Sequence, residues 1–327
     1  MAGALTNYPT GYNRPPQTES GQPRFQTHSG AVFWVSNSTA ITRNQSPGSD
    51  SAKGDFNHPF ATLNYALTQC VAGRGDIVFV KPNHIETLGG IGVITQSAAG
   101  TSVIGLGNYN SKPKFLMGTA ATTTYLISGA NCYVGNLWMV GNFSNVTTCF
   151  AVTGVGAHID NIRFTNAGTN LDFLTCITAS GAANTADGLM VTNCNWTTID
   201  TDDLGMINFV NAAADVVVWN NQMVTTAANS TAGSISGLIN VQTGNVLTNA
   251  DIGWNRLQNL ISANEVFMST VGTTYTGFVH NNYIMAPDIG NAIDTGADVT
   301  GFGLFNNLTV TTNVLSGFVN PAADVNN

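Results

Sequence analysis

The residues best placed to do chemistry are three closely spaced acids, Asp200, Asp202 and Asp203, in the segment IDTDD. Two carboxylates held a few ångströms apart are what glycoside hydrolysis requires. Several carboxylate oxygens converging from one loop can also hold Ca²⁺. Loop acids at this density ordinarily form a solvated turn, so neither role is assigned to them. Bases are scarcer still: beyond Lys114 the cations are Arg163 and Arg256, across more than two hundred positions. Arg163 stands in IDNIRF, where strand alternation turns it toward solvent. The five histidines (His28, His58, His84, His158 and His280) are scattered, and none sits in a nucleophile pattern, although His28 adjoins Ser29. Cys70, Cys132, Cys149, Cys176 and Cys194 lack any CxxC or Cys/His spacing. Cys132 and Cys194 lie in strand-like phrases and read as small buried hydrophobes. IGLGN is not a nucleotide loop, since neither a helix nor a phosphate-binding Lys follows it in the required context. The expectation is a chain with no catalytic residues, no cofactor and no metal, and hence not an enzyme.

The elements that would carry any site are announced by a recurring phrase. An apolar residue, a spacer, an Asn and a further apolar residue appear as VGNLWM, IDNIRF, VTNCNW, VWNNQM, VHNNYI and LFNNLT. The asparagines are Asn136, Asn161, Asn193, Asn220, Asn281 and Asn306, with a looser copy at Asn255 in GWNRLQ. Counting Asn255, successive gaps are 25, 32, 27, 35, 26 and 25 residues. Self-similarity at such a period marks a solenoid, because one repeat cannot bury its own apolar face until neighbours stack on it. Each copy is a short apolar/polar alternation rich in Val, Ile, Phe, Trp and Thr, which is strand chemistry. Asn accepts the left-handed backbone that a tight bend needs. Copies stacked one coil above another, about 4.8 Å apart, can also bond side chain to side chain as a ladder. The fold class expected is all-β: a parallel β-helix with its seven Asn turns near one edge, largely buried, over eight to nine coils. Trp138, Trp196, Trp219 and Trp254 recur near those turns and read as aromatics stacked at one corner. As an exposed stripe they would instead suit sugar rings.

Composition narrows the partners. The 327 residues are 43% apolar, enough for one elongated domain with a continuous core. Only 9% are charged, well under the roughly 25% usual in soluble domains. A net charge of −8 with so few cations argues against nucleic acid or an anionic membrane as a partner. No run approaches a membrane span, and no charged-then-apolar leader is visible at the N-terminus, so cytoplasmic synthesis is expected.

Residues 1–30 are rich in Pro, Gly, Gln and Thr, with no period. They read as an extended attachment arm whose anchors are Tyr8, Tyr12, Arg14, Arg24 and Phe25. The remainder, 31–327, reads as a single β-helix domain. Within it HPFATLNYALTQCVA has helical spacing, and a helix over about 59–71 is expected to cap the open first coil.

The stretch VFWVSNSTA…GSDSAKGDFNHPFATLNYALTQC…GRGDIVFVKPNHIETL…VIGLGNYNSKPKF resembles the opening of right-handed parallel β-helix proteins of the pectate-lyase-like superfamily. It is most similar to those of tailed bacteriophages and their prophages. The resemblance covers roughly residues 31–115, and the Asn repeats carry it to about 310. It implies a virion surface protein, commonly a homotrimer. The function expected is therefore a non-enzymatic virion structural protein, a capsid decoration protein or short head fibre joined to a capsid or other virion protein through the arm. The alternative is a tailspike-like receptor-binding protein that binds or cleaves a host glycan. Superfamily lyases pair an Arg or Lys base with Ca²⁺-binding acids, for which this chain has few candidates. The polygalacturonase set NTD, DD, GHG and RIK is missing as a set.

Overall fold

A computed structural model describes residues 30–37, 39, 47–90, 93–168, 170–198, 205–225, 237–242, 244–259, 266–270, 275–286 and 302–311. The arm anchors and the acids Asp200, Asp202 and Asp203 lie outside these residues.

The chain is a parallel β-solenoid with three long faces. One sheet holds ten strands, from Val32–Val35 to Phe302–Phe305; a second holds nine, from Ile85–Leu88 to Leu308–Thr311; a third holds seven, from Ile94–Gln96 to Val266–Thr270. Every ladder between named strands is parallel. Seven rungs on the third face make about seven complete turns among the described residues, against the eight to nine expected.

Alternation builds the core. On the ten-stranded sheet Val78, Val103, Val134, Ile159, Val191, Val218, Ile252 and Val279 follow one another in register and are buried. The nine-stranded sheet contributes Phe115, Met139, Phe164, Trp196, Met223, Leu257 and Ile284. Identical positions stack because each coil repeats the same side-chain direction one rung later.

The expected helix is shorter than 59–71: it spans Leu63–Thr68, with Thr62 as N-cap. Phe60 is drawn out of it, because its N–H donates to Trp34 O at 2.8 Å and its carbonyl accepts from Ser36 N at 2.9 Å. Leu63, Ala66 and Leu67 are buried, and the helix packs on strands Val32–Val35, Ile77–Val80 and Ile94–Gln96. Asp76 ties this end together, accepting from Ala31 N, Val71 N and the Arg74 guanidinium.

The bend between the ten- and nine-stranded sheets is where the repeated Asn stands. Asn136, Asn161, Asn193, Asn220, Asn281 and Asn306 all have φ between 52° and 59°. They are half-buried or exposed rather than buried as expected, because a left-handed bend residue projects outward. The looser copy is displaced: Trp254 takes the bend at φ 61°, and Asn255 falls one position later. That later position points inward and changes character along the solenoid. It is Leu137, Ile162 and Cys194 in three coils, then Asn221, Asn255, Asn282 and Asn307, all buried. The four asparagines form the continuous ladder. Each Nδ2 of Asn221, Asn255 and Asn282 donates to the next Oδ1 at 3.0–3.1 Å, and the same Oδ1 accepts that residue's backbone N–H.

All five cysteines are free, and four are buried. Burial pushes the Cys194 thiol up to about 12 and Cys149 well above its ordinary value. Native protein at pH 8 should therefore take up at most one equivalent of a thiol alkylator, at half-buried Cys70, and five on denaturation. Mass spectrometry showing rapid multiple labelling of the native chain would contradict this packing.

Candidate functional site

An open cleft of about 730 Å³ lies on the outer face of the nine-stranded sheet. Its floor follows from register. The outward position at the start of each strand runs Lys114, Trp138, Arg163, Asn195, Gln222, Arg256 and Tyr283, one residue per coil. Two positions further on, Thr165, Thr197 and Val224 form a second outward row beside it. Of these, Arg163, Asn195, Gln222, Thr197 and Val224 line the cleft, with Arg163 on the rung nearest its N-terminal end.

The wall is the loop that carries Gly107, Asn108, Tyr109 and Lys112. Ser111 closes it on itself, its hydroxyl accepting from Asn108 N at 2.9 Å and donating to Asn108 O at 2.7 Å. Two bend asparagines fasten it to the solenoid. Asn136 Nδ2 donates to Gly107 O at 2.9 Å and to Gly105 O at 2.7 Å. Lys112 Nζ donates to Asn161 O and Oδ1, both at 2.9 Å. Burial holds the Lys112 ammonium below its ordinary value. Tyr109 tops the wall, 79% exposed, at φ 48°. A bulky residue in that region is strained, and strain of this kind collects where a side chain must be presented.

Aromatic rings order the cations of this outward column, of which Arg163 lines the cleft. Lys114 Nζ lies 3.9 Å and Arg163 Cζ 4.2 Å from the Trp138 ring centre, approaching from the two neighbouring rungs. Arg163 is also 5.8 Å from the Tyr109 ring, and Arg256 is 5.4 Å from that of Tyr283. Among the described residues no carboxylate stands within ion-pair distance of Lys114, Arg163 or Arg256. None lines the cleft either, so a carboxylate pair of the glycosidase kind is not formed by the described lining.

The other polar cluster is closed. On the outer face of the ten-stranded sheet Asp160 accepts from Tyr133 Oη, Thr192 Oγ1 and Asn193 Nδ2 at 2.7–3.0 Å. Burial would raise its carboxyl, but these bonds outweigh that and hold it below the usual range. Such a carboxylate fastens neighbouring coils. His58 with Asp55, His84 with Glu86 and His280 with Asp251 are pairs of the same local kind. No group of three or more His, Cys, Asp or Glu able to hold a metal occurs among the described residues. No described helix is long and apolar enough to cross a membrane.

The structure brings the sequence-marked residues together only in part. Asn136 and Asn161 bond to each other at 3.0 Å beside the cleft, and Asn220 bonds Asn193 at 2.7 Å; Asn306 bonds Asn281. The four tryptophans do not stack at a corner. Trp196 is in the core, Trp138 on the cleft face, Trp219 exposed on the ten-stranded sheet and Trp254 at a bend. The Asn spacing alone does not reveal the floor, whose residues differ in type from coil to coil. The residue two places after the bend residue reads Trp138, Arg163, Asn195, Gln222, Arg256 and Tyr283 directly from the phrases.

No protein-family model matches the chain, and no curated protein does. Among solved structures it is similar to a rhamnogalacturonan lyase, at 14% identity over 85% of this chain and 87% of that one, with a TM-score of 0.44. It is also similar to a GH136 lacto-N-biosidase from Eubacterium ramulus, at 11% identity over 86% and 68%, with a TM-score of 0.37. Likeness at this level speaks to the fold alone. It nevertheless corrects one expectation. Chains of this course include a lyase and a glycosidase, so the expectation that this chain is not an enzyme does not stand.

Proposed function

We propose that this chain binds polysaccharide along the outer face of its nine-stranded sheet, as a receptor-engaging solenoid displayed on a bacteriophage particle. The observation that carries the binding reading is the cleft itself: an exposed, strained Tyr109 over a floor of Asn195, Gln222 and Thr197. Amides and hydroxyls in fixed rows suit a hydroxyl-rich chain, and a rigid aromatic face offers contact at little cost in conformational entropy. A ladder repeating about every 4.8 Å presents the same spacing to successive units of an extended polymer. Display on a particle, assembly as a homotrimer and attachment through the arm are proposed on the resemblance of residues 31–115.

Affinity electrophoresis through gels containing purified bacterial surface polysaccharides tests the binding reading. At least one polysaccharide should retard the protein, and Tyr109→Ala should abolish the retardation with the fold intact by circular dichroism. Equal retardation of the Tyr109→Ala protein would overturn the cleft as the binding site. Detecting the chain in purified particles by mass spectrometry tests the location.

A further inference from the structure

The basic residues beyond position 113 are Lys114, Arg163 and Arg256, and all three lie in one outward column of a chain whose net charge is −8. Solvated surface charge has no reason to align in this way. We infer that the ligand of this face is an acidic linear polysaccharide lying along the solenoid axis, its carboxylates or sulfates met by these three cations. The inference rests on the saccharide-binding reading above and names the ligand class.

Spacing favours a glycan over other polyanions. Lys114 and Arg163 are two rungs apart and Arg163 and Arg256 three, so the cations stand about 10 and 14 Å from one another along the axis. That suits a polymer charged at every second or third sugar. A nucleic-acid strand is charged at every unit and calls for a denser row of cations. The positions between Arg163 and Arg256 are Asn195 and Gln222, neutral groups that can bond sugar hydroxyls.

Trp138 has a separate part. With Lys114 on one side and Arg163 on the other, its ring is engaged by the protein's own cations. It is a positioning residue: it holds two long side chains that would otherwise lose rotamer freedom on binding, and so favours their meeting an anion. The aromatic ring left for sugar contact is Tyr109.

The experiment compares retardation by alginate and dextran sulfate, which are acidic, with dextran, which is neutral, and with oligothymidylate. Acidic glycans should retard the full chain, more weakly as salt rises, while dextran and oligothymidylate should retard it far less. Arg163→Gln and Arg256→Gln should each weaken binding about tenfold, as expected for loss of a charge-assisted bond. Lys53→Gln, which removes the same charge from an exposed loop elsewhere, should leave it unchanged. Trp138→Leu should weaken binding and Trp138→Phe restore it, an outcome that a merely structural role at this exposed face would not produce. Dextran bound as tightly as alginate, with the Arg variants unaffected, would overturn the acidic ligand while leaving saccharide binding standing. Oligothymidylate bound as tightly as alginate, or a matching loss in Lys53→Gln, would overturn it as general polyanion attraction. Binding of no polysaccharide at all would overturn both readings.

Discussion

Asn255→Leu should lower the unfolding free energy by about 4 kcal/mol, since it strips partners from two buried backbone groups that cost about 1–3 kcal/mol each when unpaired. In the native chain Asn255 Oδ1 accepts from Asn221 N at 2.9 Å, and its Nδ2 donates to Val218 O at 2.8 Å. Leucine fills the space and satisfies neither group. Asn282 Oδ1 keeps the backbone N–H of position 255 but loses the side-chain donor. By contrast Asn220→Ala, at an exposed bend with φ 54°, loses the left-handed tolerance of Asn and a solvent-exposed bond from Nδ2 to Asn193 Oδ1, together about 1–2 kcal/mol. Urea unfolding followed by circular dichroism separates the two. A variant at 255 within 1 kcal/mol of the parent would show that the ladder bonds only replace water bonds of equal worth.

Asp76→Ala should cost about 2–4 kcal/mol, chiefly from leaving two backbone amides without an acceptor at about 1–3 kcal/mol each. Its side chain is fully buried, and Arg74 Nε and Nη2 reach it at 2.6 and 2.7 Å. The amides of Ala31 and Val71, both at 2.7 Å, would be left without an acceptor. Burial by itself would raise the Asp76 carboxyl, but Arg74 first and then these two amides outweigh it and hold it below its ordinary value. The pH dependence follows from the sign. The unfolded carboxyl takes up its proton near pH 3.9 and the folded one only at lower pH. Asp76 therefore contributes in full above about pH 4, and its contribution is lost as pH falls further. Thermal midpoints measured from pH 7 to pH 3 should fall less steeply in Asp76→Asn than in the parent. Asp55 and Asp160, also held below their ordinary values, keep part of that slope in the variant. Parallel curves for the two proteins would refute the assignment.

The fold was legible because a solenoid writes its geometry into its repeats. The phrases gave the parallel pairing and the bend, since only Asn and Gly adopt a left-handed corner readily. What stayed hidden was the difference between neighbouring positions. In VWNNQM, VHNNYI and LFNNLT the first Asn takes the exposed corner and the second enters the interior, and composition treats the two alike. The helix was overextended because FATLNYALTQC has helical spacing throughout, while Phe60 is claimed by a backbone contact with Trp34 that no local pattern records. The cleft floor needed a stack of seven coils before three scattered cations became a row. Its wall needed the loop at 107–112, whose placement depends on Asn136 and Asn161, 25 to 50 residues further along the chain.

The inward corner has a thermal consequence. Three of its rungs, Leu137, Ile162 and Cys194, cohere by apolar burial; the four that follow, Asn221, Asn255, Asn282 and Asn307, by amide hydrogen bonds. Apolar burial carries a large positive heat capacity of unfolding and weakens on cooling, whereas exposing polar surface changes heat capacity in the opposite sense. Coils in a solenoid are coupled only to their neighbours, so the two stretches keep separate temperature profiles. Chilling loosens the coils of Leu137, Ile162 and Cys194 relative to those of the asparagines and warming shifts the balance back, and near freezing the protection of amides against exchange, corrected for the intrinsic rate, should weaken first around those three residues.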